Sequence, residues 1–335
     1  MAEVSKKKGR VDLSCYKGEL WALSAAVGYG VSSLFARVAV RDYPLNFVMG
    51  ASVRALPTFL FALFMTWRLS KRPEKTVSPF SDWRLVAMLV GYGLLTFLLG
   101  NPLLLRALQL GGVLIATPVS GTQSLWAALL AAVFLGQALN GRMLGGILVS
   151  IGGIVLLTLG QNPDSAVSSQ WLLAVPFALV TALSWASSGV LMTSTLKRGV
   201  DRFHSLALAV GSGILLLNIT LIVTGQMGSY AETPLTIHGA MLVAGLLNAL
   251  ALVSITSALL HTSVATATTL NSLQIALGPL LAWIFLGEQL SLVTALGACL
   301  VAGGAVFVQR AASSTRGVES GRPAGCDPQP DGVDK

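Results

Sequence analysis

Charged side chains crowd into four stretches of this sequence, residues 1 to 19, 68 to 84, 197 to 202 and 310 to 335, and long, nearly uncharged runs lie between them. An α-helix rises ~1.5 Å per residue, so about 20 apolar residues cross the ~30 Å hydrocarbon core of a bilayer. Cut at its polar punctuation, the sequence gives ten such pieces, near 19 to 40, 44 to 67, 84 to 107, 113 to 135, 143 to 160, 171 to 194, 204 to 224, 237 to 260, 264 to 286 and 291 to 309. Composition agrees: 54% hydrophobic and 11% charged residues lie far from the balance of a soluble domain. The third piece contains Gly100, Asn101 and Pro102, which either end its helix or bend it.

The stretch that follows the basic residues Met1 to Lys17 is longer than the ~7 to 15 apolar residues of a signal-peptide core, so it reads as an uncleaved first helix. Basic loops stay cytoplasmic. With the N-terminus inside, 18 of the 22 Lys and Arg residues fall on cytoplasmic segments. The other four are Arg37, Arg41 and Arg106 near outer turns and Arg54 inside a span. Both termini are therefore expected in the cytoplasm, and the chain in the plasma (inner) membrane.

Residues 107 to 157 laid on residues 258 to 308 without a gap give 17 identities in 51 positions. Thr117 falls on Thr268, Gln123 on Gln274, Phe134-Leu135-Gly136 on Phe285-Leu286-Gly287, and Gly152-Gly153 on Gly303-Gly304. One offset held across two spans argues for a duplicated unit. Each unit has five spans, an odd number, so the second copy enters the membrane from the opposite side. The expected fold is an all-α integral membrane protein of ten transmembrane helices in two inverted five-helix repeats, residues 19–160 and 171–309. A basic segment, 1–18, precedes them, and a tail at 310–335, rich in Pro, Gly, Ser and charge, is expected to be disordered. Inverted repeats are common in carriers that rock one half against the other around a midplane site.

The segments "ALQLGGVLIATPVSGTQSLWAALLAAVFLGQAL" and "ALLHTSVATATTLNSLQIALGPLLAWIFLGEQL" resemble the two signature segments of the EamA type of the drug/metabolite transporter superfamily. The resemblance covers about residues 19 to 309. It implies a ten-helix secondary carrier for small metabolites, often an exporter. One departure stands out: the family usually closes its fourth helix with "LGE", whereas position 137 is Gln here and the second copy keeps Glu288.

Polar groups inside a span are costly, so they face the bundle interior or a wet cavity. Ala116, Ser120, Gln123 and Ala127 form one helical stripe, and Ala267, Asn271, Gln274 and Gly278 form its counterpart. The stripes either face each other across a cavity or hydrogen-bond between helices. Arg54 lies about 15 Å into its expected span, where its charge costs at least ~2.5 to 3.5 kcal/mol. It is either a substrate contact or a structural Arg bonded to carbonyls. A fixed positive charge with no fixed negative one in mid-span favours a carboxylate-bearing substrate over a cationic drug. Tyr29 with Ser33, Tyr92, and Trp185 with Ser188 and Asn248 add candidate pathway surface at similar depth. Gly146 with Gly153, and Gly297 with Gly304, share helix faces at a spacing of seven and read as close packing.

Glu288 is the candidate coupling carboxylate, at an outer end; His204, His238 and His261 sit at span ends. The spans carry no nucleophile–base pair, paired carboxylates or metal ligands, so an enzyme is not expected. Cys15, Cys299 and Cys326 are too scattered for a metal cage. Neither a cofactor nor a metal is expected, and the absence of GxxxxGK[ST] leaves the chain without an ATP motor of its own. Nucleic acid is not an expected partner, because Lys and Arg flanking the spans account for the net charge of +8. The expected partners are a small-molecule substrate and membrane lipid, with a homodimer left open. The expected function is a secondary exporter of a small polar metabolite, amino-acid-like or otherwise carboxylated. A flippase-like carrier of a polar head group and a multidrug exporter are the alternatives on the same fold.

Overall fold

A computed structural model of the chain describes residues 17–41, 43–69, 77–123, 125–127, 129–130, 141–160, 169–261 and 270–320. These residues are almost wholly helical, and the one extended pairing among them is an isolated bridge between Val77 and Val200. The helices are α1 (Lys17–Arg41), α2 (Phe47–Leu69), α3 (Trp83–Gly93), α4 (Asn101–Ser120), α5 (Gly141–Leu159) and α6 (Ala174–Lys197). They continue with α7 (Arg202–Val223), the single-turn α8 (Ser229–Glu232), α9 (Leu235–His261), α10 (Gln274–Leu286) and α11 (Leu292–Ser320).

Among the described residues, six helical stretches are long and apolar enough to cross a membrane: Lys17–Arg41, Phe47–Arg68, Trp83–Ser120, Trp171–Lys197, Arg202–Val223 and Leu235–Ala258. Leu144–Leu157, Gln274–Leu286 and Leu292–Phe307 are shorter apolar helices. Trp83–Ser120 has 38 residues, about 57 Å at 1.5 Å per residue, nearly twice a bilayer core. It is broken at Gly112, whose φ of 67° and ψ of −175° are not helical. That break falls between the third and fourth expected spans. Within the first of the two pieces the helix continues without ending. Pro102 has no N–H to offer one turn back, and its ring crowds the preceding turn. Residues Leu94–Gly100 absorb the defect as a π-helical stretch, in which the Asn101 N–H reaches back five residues to the Thr96 carbonyl.

Capping residues set other boundaries. Asn46 Oδ1 accepts hydrogen bonds from the Val48 and Met49 amides at 3.0 and 3.2 Å, so α2 starts at Phe47 and not at Pro44. Asp201 does the same for α7 through the Phe203 and His204 amides. At the other end of the chain α11 runs to Ser320, past 309 and into the stretch expected to be disordered. No proline falls between residues 310 and 320; residues 321–335 lie outside the described residues.

The buried interior is rich in small residues, with Ala25, Ala26, Ala36, Ala51, Ala107, Ala178 and Ala244 among those fully or nearly fully covered. In lipid the hydrophobic effect does not drive helix association, so close van der Waals contact between backbones has to supply it. α1 packs on α9, α2 on α7 and α9, and α4 on α6. α5 and α11 form a pair of their own, in which a Cβ on Gly153 would overlap the Gly297 carbonyl and one on Gly297 would overlap the Gly153 carbonyl. The glycines spaced by seven thus face one another. Large apolar side chains such as Leu148, Leu215, Leu246 and Phe285 are left on the outer surface.

Candidate functional site

Midway along the helices lies a cavity of about 260 Å³. It is walled by α1, α2, α3, the π-helical stretch, α4, α6, α7, α9 and α10, while α5 and α11 stay outside it. The ten residues that the sequence singled out as pathway candidates all border it. Tyr29 and Ser33 come from successive turns of α1, with the Ser33 hydroxyl donating to the Tyr29 carbonyl at 3.1 Å. Tyr92 comes from α3 and Trp185 from α6, with Ser188 one turn further on. The two polar stripes meet here: Ser120 and Gln123 approach from one, Asn271 and Gln274 from the other.

Arg54 is 7% exposed and is the one charged residue in the described lining. One terminal nitrogen, Nη2, donates to Ser32 Oγ at 3.3 Å and to Asn248 Oδ1 at 3.5 Å, and Ser32 Oγ in turn donates to the Ala244 carbonyl at 2.8 Å. Both partners of the guanidinium are neutral. Its Nε is buried and has no hydrogen-bond partner, and the same is true of Thr117 Oγ1 and Asn271 Oδ1 on the cavity wall. Gly245 is what lets α9 come this close: a Cβ there would overlap the Arg54 carbonyl oxygen and crowd Pro57. The cavity therefore offers a partly unsatisfied cation, an unsatisfied amide oxygen, several hydroxyls and an aromatic wall.

The sequence reading missed Thr58, Thr96 and Asn101, which also line the cavity. Thr58 had a usable signal, since it lies one turn from Arg54 on the same helix face. Asn101 had one in its position beside Pro102, because irregular turns in spans are tolerated where they line a cavity.

Glu288 lies elsewhere. It is not part of the cavity lining but forms a clasp at the end of the bundle where α1 and α10 finish. Gly287, in the left-handed conformation at φ 65°, ends α10 and turns the chain so that the Glu288 side chain points back inward. Its carboxylate accepts from Arg37 Nε at 3.0 Å and from the Val113 and Leu114 amides at 3.0 and 3.3 Å. Those amides are the first donors of the helical run that restarts after Gly112, where a negative charge is favoured. Arg37 also donates to the Gln109 carbonyl at 3.2 Å. The clasp sits one helical turn beyond Ser33 and Thr117, which border the cavity. Gln137, the counterpart of Glu288 in the first copy, lies outside the described residues.

The sequence matches the EamA-like transporter family twice, over residues 16–159 and 172–310. No curated protein matches. A solved structure described as "Crystal structure of protein" aligns with 90% of this chain and 98% of its own, at 17% identity and a TM-score of 0.56. At that identity the likeness is one of fold alone.

Proposed function

The chain belongs to the EamA-like transporter family, whose members are membrane transporters, and we propose that it is a secondary exporter of a small, polar, carboxylated metabolite. The observation that carries this reading is the cavity: it lies at mid-helix depth, is lined from both family-matched halves, and has an incompletely satisfied guanidinium in its wall. Its volume of about 260 Å³ falls below the ~300 to 1,000 Å³ of drug-sized sites. That favours a metabolite over a drug or a lipid.

In this reading ten helices form two inverted five-helix repeats in the plasma membrane, with both termini in the cytoplasm, and the halves rock about the cavity. The Arg37–Glu288 clasp then closes the outer end. The ungapped similarity between residues 107–157 and 258–308 and the placement of Lys and Arg support that arrangement.

The test is untargeted mass spectrometry of medium and cell extract from cells overproducing the protein, compared with Arg54→Ala matched for membrane level. The expected result is a carboxylated compound that accumulates outside only when Arg54 is intact. Equal export by both versions would make Arg54 structural and shift the substrate contacts to Gln123, Asn271 and Gln274. If neither version changes the medium, the exporter reading fails.

A further inference from the structure

Resting on the carrier reading, we infer that the substrate is an organic monoanion with one carboxylate, no ammonium group, and a neutral hydrogen-bond donor such as a hydroxyl. The argument is one of charge and of unfilled hydrogen bonds. Arg54 is the one ionised side chain in the described lining, and neither of its side-chain partners, Ser32 and Asn248, carries a charge. A monocarboxylate brings the loaded cavity to neutrality. A zwitterion leaves it at plus one and a dianion at minus one, and an uncompensated charge in a buried site is costly.

The unsatisfied atoms select the same ligand. Arg54 Nε is a buried donor that lacks an acceptor, as a carboxylate oxygen would supply. Asn271 Oδ1 is a buried acceptor that lacks a donor, and Thr117 Oγ1 can serve as either. A hydroxyl fills the acceptor without adding charge. An ammonium would fill it too, but no carboxylate in the described lining offsets its charge, and losing its hydration there disfavours it. Phe97, Leu104, Leu252 and Ile275 supply apolar wall for a short hydrocarbon body.

The test is titration calorimetry at neutral pH on the purified full chain in detergent, with three probes that share one branched skeleton. These are 2-hydroxyisocaproate (monoanion), leucine (zwitterion) and 2-hydroxyisocaproamide (neutral). The hydroxy acid is expected to bind at least about tenfold more tightly than either of the others, the factor for one charge-assisted hydrogen bond. Arg54→Gln should remove that preference, while Arg54→Lys should keep the order at lower affinity. The ranking on the unaltered chain tests the inference even if a variant does not fold. Leucine binding as tightly as the hydroxy acid overturns the inference and leaves the carrier reading standing. Failure of all three probes to bind also overturns it, and the export measurement decides the carrier reading separately.

Discussion

Truncating either member of the Arg37–Glu288 clasp should unsettle the bundle, and the two truncations should not add. The side chains are 4% and 6% exposed and meet at 3.0 Å, so the two buried charges are paired with each other. Removing one partner of such a pair costs about 3 to 5 kcal/mol, because the remaining charge stays buried. Glu288 has a second duty as the acceptor for the Val113 and Leu114 amides. Glu288→Ala therefore takes the carboxylate from the Arg37 guanidinium and strands two backbone donors, at about 1 to 3 kcal/mol for each unsatisfied donor, and should cost more than Arg37→Ala. The double variant removes both charges together and leaves the backbone donors stranded. It should be less damaging than Glu288→Ala alone, with a coupling energy of at least about 2 kcal/mol. Glu288→Gln retains an oxygen for Val113 but no charge for Arg37, and should fall between the unaltered chain and Glu288→Ala.

Equilibrium unfolding in mixed micelles, titrated with SDS and followed by tryptophan fluorescence, measures all four. Two outcomes would refute the reasoning. Additivity of the single variants within about 0.5 kcal/mol would mean that the pair does not act as a unit. Equal costs for Glu288→Ala and Arg37→Ala would mean that Glu288 does not cap the restarted helix.

Gly112→Ala should cost at least about 1 to 3 kcal/mol, since φ 67° with ψ −175° is open essentially to glycine alone and the added Cβ would also meet the Glu288 carboxylate; the same unfolding assay reads it. Asp201→Ala should cost about 1 kcal/mol at neutral pH through loss of the α7 cap. Partial burial pushes the Asp201 carboxyl up, but hydrogen bonds from the His204 and Phe203 amides and the His204 ring outweigh it and hold the group below its usual range. A depressed carboxyl stabilises above its unfolded pKa and stops doing so as pH falls through the folded one, so the gap between Asp201→Ala and the unaltered chain should close below about pH 4. A gap that persists unchanged at acid pH would refute the capping role.

The six long apolar stretches were legible in the sequence because a bilayer imposes one length scale and one polarity on every crossing segment. Boundaries were less so, since they depend on single hydrogen bonds: Asn46 trims the start of α2, and Asp201 sets that of α7. The Gly100-Asn101-Pro102 interruption announced an irregularity but not its form. Ending a helix and bulging it both answer the missing proline N–H, and the choice of a π-helical stretch places Thr96, Phe97 and Asn101 on the cavity wall.

The cavity lining was legible for a different reason from the clasp's obscurity. A buried polar residue is conspicuous against an apolar span, so Arg54, Gln123, Asn248, Asn271 and Gln274 declared themselves one at a time, and burial required that they converge. Arg37 and Glu288 do not stand out in that way, because charges near span ends are ordinary. Their partnership across 251 residues is created by two turns, Gly112 and Gly287, neither of which signals its partner. The clasp also ties this end of the bundle to the cavity wall. Its acceptor is a carboxylate bonded both to a side chain of α1 and to the start of a helix that carries Thr117 and Ser120 into the cavity wall. Any movement that separates Glu288 from Val113 must therefore shift that wall or strand the amides. In the proposed carrier, opening this end and reshaping the site would then be one event.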